Sequence, residues 1–209
     1  MSDRARWRLK RVMDVTVASG VLILLAPLLG IVAAVVRLRL GRPVLFRQDR
    51  PGRGGRNFTM IKFRTMTDAR DRQGALLADS ERLTRVGVIL RQTSLDEMPE
   101  LWNVVKGDMS LVGPRPLLTR YTPYFTPEEL RRFDVRPGIT GWAQVNGRNR
   151  ASWTQRLSDD LYYVDNMSLR LDARILMLTL LRVVSKKGLV TDPGSEMQDF
   201  DVERRSQHG

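Results

Sequence analysis

From Val15 to Val36 the chain carries no charged residue. At about 1.5 Å per residue, such a run is long enough as a helix to cross a bilayer core of roughly 30 Å. Pro27 stands near its middle, where a proline removes a helical hydrogen bond and kinks or breaks the axis. Arg4, Arg6, Arg8, Lys10 and Arg11 precede the run, and Arg37, Arg39, Arg42 and Arg47 follow it. Cations at both ends assign both ends to the cytoplasmic side. A segment with both ends on one side must turn back. Split at Pro27, the pieces are roughly 18 and 14 Å long as helix, each near the thickness of one leaflet. The pattern therefore predicts a re-entrant helix-break-helix over residues 1–42. A single spanning helix is the alternative, and a cleaved signal peptide is disfavoured because the run is long and lacks a small-x-small cleavage site.

Beyond the run, apolar stretches at Pro43–Phe46 and Asn57–Met66 flank the turn-rich Asp49–Arg56, which predicts a β-hairpin. In the second strand Ile61 and Phe63 point one way, Lys62 and Arg64 the other. Solvated cations on an exposed face would satisfy that pattern as well. From Ala75 the spacing of Leu76, Leu77, Leu83, Val86, Ile89 and Leu90 fits helices. Another helix is expected to begin near Asp96, with Pro99 in its first turn and Gly107 at its end. Gly113–Pro116 and Arg136–Gly141 read as rigid loops. From Leu169 to Val184 apolar residues alternate with Arg170, Arg174 and Arg182, and Lys186 and Lys187 follow. That is a basic amphipathic helix suited to a membrane interface, with an ordinary core helix as the alternative. The expected units are a membrane hairpin at 1–42, a catalytic domain at 43–190 and a polar tail at 191–209.

Composition narrows the chemistry. Lys and Arg number 35 against 23 Asp and Glu in 209 residues, a net charge of +12, and there is no Cys. A hydrophobic fraction of 42% allows a real core and excludes a disordered basic tail. Thiolate and disulfide chemistry are excluded, and the one His, His208, sits in the polar tail. Charge alone would fit a nucleic-acid binder. Charge bracketing an apolar run fits an anionic membrane surface better.

Asp96 and Glu97 stand side by side at the predicted helix start in Thr93-Ser94-Leu95-Asp96-Glu97. Helix capping explains such a pair on its own. A helix N-terminus also favours the ionised carboxylate, the form suited to nucleophilic attack or to holding a metal. Lys62, Arg91 and Arg115 are the cations a transferring phosphate needs. With phosphate present, Mg²⁺ held by one or two carboxylates is reasonable.

Lys62–Met66, Ser94–Glu97, Gly107–Pro116 and Arg136–Arg148 together resemble the bacterial sugar transferase family, in order and over about residues 8 to 188. The resemblance is closest to its small monotopic phosphoglycosyl transferases. It implies an α/β fold, mostly helical with a small β-hairpin or sheet, in a monotopic membrane protein with interfacial amphipathic helices. It implies transfer of a phospho-sugar from a UDP-sugar to polyprenyl phosphate, with UMP released, as the first membrane step of glycoconjugate synthesis. The place implied is the cytoplasmic face of a bacterial inner membrane, against anionic lipid and with no nucleic acid. Carried onto this chain, Asp96 is the nucleophile that forms a covalent phospho-sugar intermediate, and Glu97 is its partner for Mg²⁺ or proton handling. Lys62, Arg91 and Arg115 are the expected phosphate contacts. Lys10 and Arg11 are candidates for the lipid phosphate, with headgroup anchoring as the alternative. Members of the family break the membrane helix at Ser-Pro, whereas this chain has Ala26-Pro27. Donor specificity is expected in the loops from Arg136 to Arg150 and near Tyr162-Tyr163. The alternative function is a non-catalytic basic membrane adaptor or nucleic-acid binder.

Overall fold

A computed structural model describes residues 3–146, 152–185 and 199–208. The loop residues Gly147–Arg150, the cations Lys186 and Lys187, and tail residues 191–198 lie outside the described residues. The described protein is mostly helical, with two small sheets. Helix α1 spans Asp3–Arg39. The hairpin strands β1, Leu45–Pro51, and β2, Asn57–Phe63, pair antiparallel with Leu45 opposite Phe63 and Arg50 opposite Phe58. Short helices α2, Asp79–Arg82, and α3, Arg85–Gln92, lead through a 3₁₀ turn at Leu95–Glu97 into α4, Glu100–Lys106. Strands β3, Ser110–Val112, and β4, Gly138–Thr140, run parallel. Helices α5, Trp142–Asn146, α6, Trp153–Asn166, α7, Leu169–Ser185, and α8, Phe200–His208, complete the described chain.

The expected break at Pro27 is not present as a loss of helix: α1 is one helix of 37 residues with Pro27 inside it. Lys10, Asp14, Ala18, Val32 and Val36 are buried along one stripe, and Val21, Leu22, Leu25 and Leu29 are half-buried between them. These positions recur every three or four residues, so one face of α1 lies on the body past the proline. Pro27 itself is on the exposed side, where its missing N–H and freed carbonyl disturb no packing contact. The other face is apolar and open, with Ile23 76% and Leu24 77% exposed. By length and composition α1 is the one described helix apolar enough to cross a membrane.

Both halves of α1 are tied to the same body. The first half joins a core of Leu101, Val104, Met109, Val112, Tyr163 and Ile175. The second half, through Val32 and Val36, packs on Phe63 and Leu90. Helix α7 buries Asp172 and Ile175 while Met177, Leu180 and Leu181 stay exposed, so it serves as a core helix on one side and an apolar surface on the other. The C-terminal segment expected to be a loose polar tail is helical from Phe200. Phe200 is fully buried among Tyr121, Phe125, Trp153 and Leu157, an aromatic anchor that a composition reading of a polar segment overlooks.

Candidate active site

The carboxylate pair is presented by tight backbone. Ser94 takes a left-handed conformation with φ 55°. The next residues wind as 3₁₀, with Glu97 N–H donating to the Ser94 carbonyl and Met98 N–H to Leu95. The α-helix expected near Asp96 begins at Glu100, because Pro99 has no N–H with which to continue an α-helical ladder back to Leu95. Gly107, with φ 98°, ends it as expected. Neither Ser94 nor Pro99 makes a side-chain cap; the Asp96 carboxylate meets its own backbone N–H, and that of Glu97 goes to Lys62 and Arg115.

Lys62 reaches this turn from β2. Asn103, buried at the middle of α4, donates to the Thr59 carbonyl at 2.8 Å and accepts from Ile61 N–H at 3.2 Å, standing in for a neighbouring strand. That seam sets β2 against α4. Lys62 Nζ then lies 2.8 Å from Glu97 Oε1 and 3.0 Å from Glu100 Oε1. Arg115 Nη2 also donates to Glu97 Oε1 at 2.8 Å. Lys62 is therefore not a solvated surface cation.

Arg115 rides on the loop after β3. Gly113 and Gly138 approach so closely that a Cβ on Gly138 would sit 2.1 Å from Gly113 N, which only glycine permits. Behind the loop, buried Arg132 donates to the Arg115 carbonyl and to Asp160 Oδ2, each at 2.8 Å. Arg91, on α3, donates to Thr65 Oγ1 at 3.2 Å. Its helix is seated by Gly87, where a Cβ would lie 2.1 Å from the Thr65 carbonyl oxygen.

The three acids are differently charged by their surroundings. Burial pushes Asp96 above the usual carboxylate value, and the neighbouring Glu97 charge adds to this, against the pull of Lys62 and Arg91. The helix-start effect expected to lower Asp96 is thus outweighed. Burial also presses Glu97 upward, but Arg115 and Lys62 overcome it and hold that carboxyl at about 2. Glu100 is raised by burial despite Lys62. Asp96 is 8% exposed, and among the described residues no side chain donates to its carboxylate. An unpaired carboxylate beside a neutralised one can attack an electrophile or take a cation.

Lys10 and Arg11 are elsewhere. Lys10 is buried against Asp172 at 2.7 Å, and Arg11 donates to the Val104 and Val105 carbonyls at the far end of α4. Tyr163 is buried, donating to Asp172 at 2.7 Å, whereas Tyr162 is exposed and packs on Trp142. Sequence reasoning missed Glu100, Arg50 and the Arg132–Asp160 support. The three-residue spacing of Glu97 and Glu100 was available as a signal. So was the pairing of β1 with β2, which places Arg50 on the Lys62 face.

The arrangement gathers a buried carboxylate without a side-chain donor among the described residues, an ion-paired one beside it, and converging Lys and Arg. Residues 5–186 match the bacterial sugar transferase family. The chain is 52% identical over 181 residues to an "Uncharacterized sugar transferase EpsL" of Bacillus subtilis, covering 87% of this chain and 90% of that protein. It is 43% identical over 181 residues to a UDP-glucose:undecaprenyl-phosphate glucose-1-phosphate transferase of Caulobacter vibrioides, covering 82% and 68%. It is 35% identical over 196 residues to the "Exopolysaccharide production protein ExoY" of Rhizobium meliloti, covering 86% and 87%. The chain belongs to the bacterial sugar transferase family, and it is a transferase.

Proposed function

We propose that this protein transfers a phospho-sugar from a UDP-sugar to polyprenyl phosphate at the cytoplasmic face of a bacterial membrane. Relatives named as transferases from UDP-glucose to undecaprenyl phosphate, and from UDP-N-acetylgalactosamine to the same lipid, support the substrate classes. The observation that carries the mechanism is Asp96, a buried carboxylate without a hydrogen-bonding side-chain partner among the described residues, next to cations held by Glu97 and Glu100.

In the first step an Asp96 carboxylate oxygen attacks the β-phosphorus of the donor. The bond from that phosphorus to the bridging oxygen breaks, and UMP leaves with the electron pair. In the second step a phosphate oxygen of the polyprenyl phosphate attacks the same phosphorus. The bond to Asp96 breaks, giving polyprenyl-diphospho-sugar and restoring the carboxylate. Lys62 and Arg115 neutralise charge on the transferring group, and Arg91 acts on Asp96. The adjacent carboxylates of Asp96 and Glu97 are a hard oxygen donor set that fits Mg²⁺ completed by water and phosphate. Bound there, the ion would supply charge neutralisation as two anions approach. Lys10 and Arg11, engaged in internal contacts, act through the fold.

The open face of α1 lies against anionic lipid, with Arg37, Arg39, Arg42 and Arg47 at the headgroups, and the exposed Met177, Leu180 and Leu181 of α7 are a second apolar surface suited to lipid. With both halves of α1 held by one body, both ends of the helix lie on the same side of the membrane. The test of function is UMP release from UDP-sugars with polyprenyl phosphate and Mg²⁺, together with capture of phospho-sugar on the protein when the lipid is omitted. Normal turnover by Asp96→Asn would remove Asp96 as nucleophile. Detection of either chain end outside the cell would defeat the topology.

A further inference from the structure

Beside the carboxylate turn, a small cleft is lined by Arg50, Met60, Lys62, Glu100, Arg115 and Pro116. The hairpin register puts Arg50 there: Arg50 opposite Phe58, Gln48 opposite Met60 and Phe46 opposite Lys62 share one sheet face. Two walls of the cleft, Lys62 and Arg115, are shared with the Asp96 turn. Its charges do not balance. Lys62 and Arg115 are matched by Glu97 and Glu100, with contacts of 2.8 to 3.0 Å. Arg50 adds a third cation whose one side-chain partner among the described residues is neutral, Gln48 Oε1 at 2.6 Å. Its Nε–H is buried with no hydrogen-bond partner among the described residues. Burial and the repulsion of Arg115 both press its guanidinium toward deprotonation, which a guanidinium resists at any ordinary pH. Glu100 lines the same cleft and its charge acts on Arg50, but it is paired with Lys62 and makes no hydrogen bond to Arg50. A half-buried guanidinium facing another, with a spare donor, is a seat for an anion.

We propose that Arg50, with Arg115 and Lys62, binds the second phosphate of the nucleotide donor, the one that departs with the nucleoside. This rests on the transfer reading for the donor's identity. When Asp96 takes the sugar-bearing phosphorus, the departing phosphate is one bridging oxygen away, beyond the Lys62–Arg115 wall. There it gains negative charge as the bond breaks, and the spare Arg50 donor meets that charge. Arg50 thus binds the donor and the leaving group.

The experiment is calorimetric titration of UMP into the detergent-solubilised full chain, alongside steady-state kinetics with UDP-sugar. Arg50→Ala is expected to weaken UMP about tenfold or more and to raise the donor KM by a similar factor. kcat at saturating donor should also fall, by about threefold or more, because the contact strengthens as the leaving phosphate gains charge. Arg50→Lys, which keeps charge but not the forked donors, should weaken UMP by an intermediate factor and decides the matter should the alanine variant not fold. Arg47→Ala, on the opposite face of β1, removes the same charge and should leave UMP affinity unchanged. UMP affinity in the Arg50 variants equal to wild type, or an equal loss in Arg47→Ala, overturns the seat. Arg50-dependent UMP binding without transfer of sugar phosphate would sink the transfer reading and leave the seat standing. Transfer with Arg50-independent UMP binding sinks the seat alone.

Discussion

Two buried ionic clusters lie at opposite ends of α4, and they differ in closure. At the C-terminal end, Lys10 pairs with Asp172 at 2.7 Å and with Asp14 at 3.8 Å. Asp14 accepts from Ser110 Oγ and Leu111 N–H, and Tyr163 donates to Asp172. Each of these side chains has a protein partner, and the partners come from α1, β3, α6 and α7. At the N-terminal end, Glu97 is doubly neutralised, yet among the described residues Asp96 has no side-chain donor and Arg50 keeps a spare one. A closed cluster has satisfied its own desolvation and holds elements together. An open cluster keeps unpaired charge whose satisfaction awaits a ligand, and that is the arrangement chemistry requires.

The contrast can be broken from either side. The largest expected effect is Asp96→Asn, which should lower kcat by about a thousandfold or more while leaving the melting temperature unchanged or raised, because it removes an unpaired buried charge. A loss of stability comparable to that expected at the closed cluster would erase the distinction. Lys10→Met should do the reverse. It leaves Asp172 and Asp14 buried without their cation and should cost about 3–5 kcal/mol in denaturant unfolding, with residual activity tracking the folded fraction.

The open cluster also predicts a pH signature. In the proposed reaction Asp96 attacks as a carboxylate, and its raised pKa puts the acid limb of kcat/KM above the ordinary aspartate value of 3.8. Because the Glu97 charge contributes to that rise, Glu97→Gln should move the limb of the residual activity to lower pH. An unmoved limb would detach it from Asp96. For stability the two acids have opposite signs. Glu97, held at about 2 against an ordinary 4.5, stabilises the fold above its ordinary value, and that stability is lost as pH falls from about 4.5 through about 2. Asp96, being raised, favours the fold when protonated and loses that contribution as pH rises through its folded pKa. The smallest expected effect is Tyr163→Phe, about 1 kcal/mol for one hydrogen bond to Asp172, read from urea unfolding with activity retained.

How much of this was legible in advance differs by element. The hairpin was, because alternation around Gly-rich turn residues has few other solutions. So was the end of α4, where only Gly107 accepts φ 98° without strain. Asp96 and Glu97 were legible as a pair, and Lys62, Arg91 and Arg115 as cations of the site, through motif order rather than physics. The continuity of α1 was not. Proline argues for a break, yet α1 is helical through position 27, which faces away from the body. Helix α8 was illegible for a similar reason: one Phe in a polar segment gives no periodic signal, yet four buried aromatic or aliphatic side chains converge on it. The surplus of basic charge reads differently as well. Arg11, Arg64, Arg136 and Arg182 donate to backbone carbonyls, so part of the +12 is internal hydrogen bonding rather than a binding surface.

By itself the sequence determined the apolar run and its cationic brackets, the strand pair, the residue types of the site and the absence of thiol chemistry. These follow from local periodicity and composition, which neighbours in space do not alter. Only the tertiary structure decided which charges are closed and which are open. Lys10 meets Asp172 across 162 residues, and Lys62 meets Glu97 across 35. An isolated Lys or Asp carries the same charge in either setting. What differs is burial and the partner brought from elsewhere in the chain, and those set the cost of leaving it unpaired.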